Sequence, residues 1–326
     1  KNKIGLTYTQ QDFCACHDNI SATTAPEAGY DRRFPTQRVV LLDWTAPVTS
    51  RILIEASGIH RVERWGNMHH QTKDFSVDPA LNAVNEQGGL IPGLNYRNRG
   101  GNNAYNNSWN DNFHYRFNVS YITGSHALKV GMNNAHGYHE NLSYQLNPLA
   151  FRFNNGVPNQ LTMRVLPHTQ KNHVDKDLGI YVQDKWTINR ATLSLGLRFD
   201  NFANTFPEQE LGPTLFAPGR DLAFPATKNL NYKDITPKSQ FAYDLFGNGR
   251  TALKVSLNKY LQGLGTTGGL VASPNPIAVL NTSATRNWTD GNRNYVPDCN
   301  LLNPAAQNNL ATGGDFCSAF NDSTFG

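Results

Sequence analysis

The chain of 326 residues is long enough for one large or two ordinary domains, and 17 % of its residues are charged. Its net charge of +4 is spread along the sequence without a cluster denser than Arg32 and Arg33, so we expect no nucleic-acid partner. The mean hydropathy is −0.52 and no run of about 18 apolar residues occurs, which excludes a membrane-spanning helix but not membrane-spanning strands, because such strands are apolar on one face only.

Apolar and polar residues alternate along nine segments of the chain, the pattern of half-exposed β-strands. The clearest case is 113–121, where odd positions are aromatic or valine and even positions are polar. A second clear case is 192–200, where Leu193, Leu195, Leu197 and Phe199 share one face. In chain order, we predict strands at 4–8, 39–44, 52–62, 113–121, 128–132, 178–182, 192–200, 241–245 and 253–257.

The connections between these strands alternate between short and long. The short ones are 45–50, 123–125, 187–190 and 247–250. The long ones are 10–36, 64–112, 133–176, 203–238 and 262 onward, all beyond the roughly 12–15 residues usual for a loop in a compact domain. Short turns at one rim and long loops at the other are typical of a transmembrane antiparallel β-barrel with periplasmic turns and extracellular loops, whereas a soluble β-sandwich has no reason to collect its long loops at one end.

An aromatic residue stands just before each short turn: Trp44, Tyr121, Trp186 and Phe246. Such positions suit the aromatic belt at a membrane interface. Six charged residues in or beside the strands are interpreted as the polar, water-facing inner wall of the barrel: Glu55, Arg116, Lys129, Lys185, Arg198 and Asp200.

Known catalytic motifs are missing, so we predict neither an enzyme nor a required cofactor. Gly263, Gly265 and Gly268 match G-x-G-x-x-G, but the prolines that follow prevent the helix that a phosphate would need. Cys14, Cys16 and His17 miss the haem-attachment spacing by one residue.

Ten histidines invite a metal hypothesis, most of all at three pairs: His69 with His70, His136 with His139, and His168 with His173. Adjacent or strand-spaced histidines point apart unless a loop folds them together, so we interpret them first as solvated loop residues.

One loop places oxygen side chains at alternating positions. Asp290, Asn292, Asn294 and Asp298 stand at the first, third, fifth and ninth positions, the alternation that surrounds Ca²⁺ with oxygen ligands. The sixth position is Tyr295 and not glycine, so the loop is not an EF-hand. We hypothesise a calcium site there, with a plain Asn/Asp turn as the alternative.

The four cysteines favour an oxidising, extracytoplasmic location. A disulfide between Cys299 and Cys317 would close a loop too polar and flexible to hold itself. Cys14 and Cys16 are too close in sequence to pair comfortably with each other, so we expect them to remain thiols or to pair with missing segments.

Several stretches resemble TonB-dependent outer-membrane receptors. LGIYVQDKW at 178–186 followed by ATLSLGLRFD at 191–200 is similar to a hairpin common in that family. SHALKVG at 125–131, AYDLFGNGRTALKVS at 242–256 and the acidic stretch 290–299 resemble the Oar-like branch, whose members carry a carboxypeptidase-regulatory-like domain. The resemblance implies energised passage across the bacterial outer membrane, powered by a TonB-type inner-membrane complex acting on a plug inside a barrel of about 22 strands.

We therefore expect residues 1–326 to be a partial barrel of about nine strands that lacks the plug, the N-terminal domain and the C-terminal strands, with 262–326 as an extracellular loop. The expected partners are outer-membrane lipid, the TonB-type complex through missing segments, and a substrate that these residues do not identify. A structural or adhesive surface protein and a passive porin remain the alternatives.

Overall fold

A computed structural model describes residues 1–71, 78–97 and 104–326, so part of the predicted connection 64–112 lies outside the described residues. Strands dominate these ranges, and helical structure is confined to short turns such as α1 (Gly269–Ala272). In chain order the strands are β1 (Lys3–Asp18), β2 (Tyr30–Pro47), β3 (Ile52–Met68), β4 (Ala83–Glu86), β5 (Leu94–Tyr96), β6 (Tyr105–Thr123), β7 (His126–Tyr144), β8 (Leu149–Asn154), β9 (Val157–Arg164), β10 (His168–Ile188), β11 (Ala191–Phe206), β12 (Gln209–Leu211), β13 (Leu222–Phe224), β14 (Thr227–Asp244), β15 (Ala252–Asn258), β16 (Ser283–Thr289), β17 (Gln307–Asn308) and β18 (Phe316–Cys317).

Nine long strands form one antiparallel sheet in the order β1-β2-β3-β6-β7-β10-β11-β14-β15. A strand occurs at each of the nine predicted segments, and each predicted short turn joins two neighbours in this sheet. The all-β fold class is confirmed. Within the described residues, no helix has the length and apolar character needed to cross a membrane.

Direct pairing places the apolar residues of neighbouring strands on one face. Leu197 pairs with Val182, Val182 with Val130, and Val130 with Val119, so an apolar row crosses four strands. These side chains are exposed or half-buried, as expected of a face that meets lipid. Trp44, Tyr121 and Trp186 lie on the same face next to the short turns, and Phe246 is exposed within one.

The strands are longer than the sequence predicts, so the long connections were overestimated. β10 has 21 residues, whereas a tilted strand needs only about 9–11 to cross a bilayer. The extensions lie at the ends away from the short turns, for example at 133–144 of β7, where asparagine and histidine occur on both faces. The alternation is lost there because, beyond the membrane, neither face needs to be apolar.

The remaining connections fold into a second sheet in the order β17-β18-β16-β9-β8-β4-β5, which the sequence did not predict. Its core contains Phe151, Leu161, Met163 and Trp288. The segment 262–326, expected to be a loop, supplies three of these strands, β16, β17 and β18. The main hydrophobic core of the described residues therefore belongs to the loop-derived sheet, since the long sheet presents its apolar face outward.

Candidate functional site on the polar face

The polar face of the long sheet carries hydrogen bonds between strands that are not direct neighbours. Arg198 on β11 donates to Asn133 Oδ1 on β7 over 2.7 Å, reaching across β10. Lys129 on β7 lies 3.4 Å from Glu55 on β3, reaching across β6. These contacts link non-neighbouring strands on the face opposite the exposed apolar side chains.

Glycines make room for the contacts that cross a strand. The Tyr181 hydroxyl donates to Asn118 Oδ1, and a Cβ added at Gly131, on the strand between them, would lie 2.6 Å from that hydroxyl. Gly179 has the same role under Arg198, because a Cβ there would overlap the guanidinium. Both glycines thus allow side chains from the two flanking strands to meet over the backbone, a recognised use of glycine within strands.

A cavity of about 640 Å³ opens on this face, and it is rich in cations. Its lining includes five of them: Arg116, Lys129, Lys185, Arg198 and Lys238. Within the described residues, Arg116, Lys185 and Lys238 form no ion pair, while Arg198 lies 2.6 Å from Asp200. The lining of this cavity can therefore attract anionic groups.

The segment after β15 crosses the polar face. Lys259 Nζ lies 2.6 Å from Asp234 Oδ1, and Val271 in α1 packs against Val174 and Phe202. Asn275 Nδ2 then donates to the Lys171 carbonyl oxygen over 2.7 Å. Further across, Gly265, Thr266 and Thr267 share a cavity of about 390 Å³ with residues of β3, β6 and β7, among them Arg61, Glu63 and His139.

This crossing segment contains Gly263, Gly265 and Gly268, the glycines that match the dinucleotide pattern. The helix that follows, α1, has only four residues. A helix of this length is too short to provide the N-terminal phosphate site that the dinucleotide pattern requires.

The predicted calcium loop is organised by hydrogen bonds among its own groups. Asp290 accepts from the backbone N–H groups of Asn294 and Tyr295 at 3.2 and 2.9 Å, and Asn292 Nδ2 donates to Asp298 Oδ2 over 2.7 Å. These contacts suit the Asn/Asp turn, and the calcium hypothesis stays a prediction.

Asp315 holds this loop in place, although the sequence did not single it out. Its carboxylate is buried and accepts hydrogen bonds from Trp288 Nε1, Gly291 N and Asp298 N at 2.9–3.0 Å. The only sequence signal was an aspartate near Cys317. Nearby, burial lowers the pKa of the Arg286 guanidinium, which donates to three backbone carbonyl oxygens.

Both cysteine pairs lie at disulfide distance. Cys299 and Cys317 form the expected pair in the core of the second sheet. Cys14 and Cys16 also pair with each other, contrary to the expectation of thiols or of bonds to other segments, because their Cα atoms on β1 are 5.1 Å apart, within the roughly 4.4–6.8 Å of ordinary disulfides.

The histidine pairs point apart, as expected for adjacent or strand-spaced residues, but the expectation that they are solvated loop residues is wrong. His136 and His139 lie in β7, His168 and His173 lie in β10, and His70 is buried. The His69 ring contacts the Tyr144 hydroxyl, and its pKa is lowered by burial, whereas His70 faces Asp31. By register, His136 and His139 lie on opposite faces of β7. His70 instead meets His17, a residue 53 positions earlier, with ring centroids 5.3 Å apart.

The sequence matches the family model described as "Outer membrane beta barrel domain" over residues 1–323. No curated protein matches the chain. In structure it is similar to the outer membrane transporter YddB from Escherichia coli, with 12 % identity and a TM-score of 0.47 over 98 % of this chain and 41 % of that one. It is also similar to the siderophore receptor PiuA from Acinetobacter baumannii, with 15 % identity and a TM-score of 0.47 over 88 % of this chain and 44 % of that one. The chain thus spans less than half of the length of these two proteins.

Proposed function

This chain belongs to the outer membrane β-barrel domain family, and on that premise we propose that it forms part of the barrel wall of an energised, TonB-dependent transporter. It is an outer-membrane protein with an all-β fold. The observation that supports a transport role is the difference between the two faces of the nine-stranded sheet, one apolar and exposed, the other polar and cationic.

The cations on the polar face that form no ion pair among the described residues support a lumen that is occupied by an anionic partner. Arg116, Lys185 and Lys238 project from the polar face without an acidic partner among the described residues. In a large barrel they would face a plug or an anionic substrate, whose carboxylates or phosphates would supply the missing partners. The TonB-type complex of the inner membrane would drive transport by acting on that plug. The Oar-like branch remains a prediction that rests on the resemblance of sequence stretches.

Ion conduction through the full-length protein distinguishes an energised transporter from a porin. In a planar lipid bilayer, a plugged transporter stays closed, and deletion of the plug domain opens a channel through the barrel. A steady open current through the intact protein would identify a passive porin. A deletion variant that keeps its strand content but conducts nothing would favour a structural or adhesive surface protein.

Charge reversal on the polar face tests whether that face lines the lumen. In the opened channel, Lys238→Glu should shift the reversal potential toward cation selectivity, because Lys238 lines the cavity. Lys233→Glu is the matched control, since Lys233 lies on the same strand and pairs directly with Asn201 on the opposite face. Equal shifts from both variants would contradict the assignment of the faces.

A further inference from the structure

Three polar side chains from separate parts of the chain meet at the rim away from the short turns. His17 is near the end of β1, Asp31 is near the start of β2, and His70 follows β3. One potential ligand atom from each lies within 4.8 Å of the other two. Asp31 and His70 are buried, and His17 is half-buried.

Two backbone N–H groups hold the Asp31 carboxylate in position. Its Oδ1 accepts a hydrogen bond from His17 N over 3.1 Å, and its Oδ2 accepts one from Gln71 N over 3.2 Å. Its side chain is fully buried. A carboxylate held in this way needs little reorganisation to bind a cation.

His70 has the surroundings of a metal-binding histidine. Its Nδ1 lies 2.9 Å from Asp31 Oδ1, and its Nε2 lies 2.9 Å from the Pro26 carbonyl oxygen. With an ion bound at Nδ1, the Nε2–H group would donate to the Pro26 carbonyl oxygen. A metal-binding histidine almost always donates its second ring N–H to such a carbonyl or carboxylate.

His17 departs from the strand geometry of its neighbours. The pairing of β1 with β2 shifts between Ala15 and Asp18, and His17 has a φ of 60°. Irregularities of this kind redirect a side chain out of the strand alternation, and they are common next to functional sites. Here the irregularity brings the His17 ring beside Asp31 and His70.

We propose that His17, Asp31 and His70 form a binding site for a divalent transition-metal ion of the zinc class. Two imidazoles and one carboxylate suit Zn²⁺ or Co²⁺ and disfavour Ca²⁺ and Mg²⁺, which prefer oxygen ligands. Rotation of the half-buried His17 ring would complete the site, with water at the remaining position. The ion would join three neighbouring strand ends at the rim.

The sulfur atoms of Cys14 and Cys16 also lie close to Asp31. They are paired with each other at disulfide distance, so they are not part of the proposed ligand set. This makes a spectroscopic prediction: Co²⁺ bound under non-reducing conditions should show ligand-field bands of nitrogen and oxygen ligands without a thiolate-to-metal charge-transfer band.

Titration of the full-length protein in detergent with Co²⁺, and competition with Zn²⁺, tests the proposal. We expect one ion per chain, and we expect His17→Gln and Asp31→Asn to weaken binding by at least about tenfold. His17→Gln is the safer variant because its side chain is half-buried. Unchanged mobility of the folded form in semi-native electrophoresis would verify that each variant keeps its fold.

Two further variants sharpen the test. His69→Gln is the matched control, because His69 is adjacent to His70 but contacts Tyr144. Arg33→Gln should strengthen binding, because Arg33 Nε lies 3.5 Å from Asp31 Oδ2 and competes for the carboxylate. The proposal is overturned if the wild-type protein binds no Co²⁺ or Zn²⁺, or if His69→Gln weakens binding as much as Asp31→Asn does.

Discussion

The Tyr181 hydroxyl donates a hydrogen bond to Asn118 from two strands away, over the backbone of Gly131. Gly131→Ala should therefore destabilise the barrel wall by about 1–3 kcal/mol, because the added methyl group would force the two side chains apart. Urea unfolding followed by tryptophan fluorescence measures the loss. Gly196→Ala is the control, since its Cβ would make an ordinary contact of 3.5 Å with Gln183. Equal losses at both positions would contradict this role for Gly131.

The second prediction concerns the two faces of β11. Leu195 is 51 % exposed on the apolar face, so Leu195→Arg should cost about 2–4 kcal/mol near the bilayer midplane. Ser194→Arg should cost less, because Ser194 lines the cavity on the polar face. Spin labels at positions 193–199 should alternate in access to lipid-soluble and water-soluble quenchers. A uniform response along the strand would show that the two faces are not separated by lipid and water.

The third prediction concerns Asp315. Asp315→Ala should expose the segment 287–317 to limited proteolysis, because Trp288 Nε1 and two backbone N–H groups would lose a charged acceptor worth about 1.5–3 kcal/mol per hydrogen bond. Asp221→Ala is the control, since Asp221 is exposed. Unchanged cleavage in Asp315→Ala would mean that other contacts hold the loop.

The fourth prediction concerns the Cys299–Cys317 pair. Cys317→Ser should lower the free energy of unfolding of the loop-derived sheet by about 3 kcal/mol, because the unfolded chain loses a constraint. Comparison of wild type and variant under oxidising and reducing conditions isolates this effect. If reduction destabilises the variant as much as the wild type, the effect does not come from this pair.

The fifth prediction concerns calcium at Asp290, Asn292, Asn294 and Asp298. Two carboxylates make a weak site, so binding is expected only at extracellular calcium concentrations, of about 10⁻⁴–10⁻³ M. Proteolysis of the full-length protein with and without chelator measures it, and removal of calcium should speed cleavage at 287–317. Cleavage that does not depend on calcium would leave the Asn/Asp turn as the better explanation, as the hydrogen bonds to Asp290 already suggest.

The sequence predicted the central part of each long strand because lipid on one face and water on the other impose a period of two. Thr192 to Asp200 shows this clearly, and its pairing in β11 agrees with the predicted faces. The outer ends of the strands were missed because water surrounds both faces there, so no alternation is required. The second sheet was missed for two other reasons. β4 and β18 are only 4 and 2 residues long, and β8 is buried at four of its six positions, so no alternation between a wet and a dry face is required there.

The sequence by itself determined the all-β class, the nine membrane strands and the four tight turns, since each follows from local alternation and local turn residues. Only the tertiary structure decided which distant side chains meet: His17 with Asp31 and His70, Tyr181 with Asn118, and Trp288 with Asp315. Such contacts depend on strand register, on bulges and on the path of the long connections. These features bring together residues that are far apart in the sequence and that no local spacing relates.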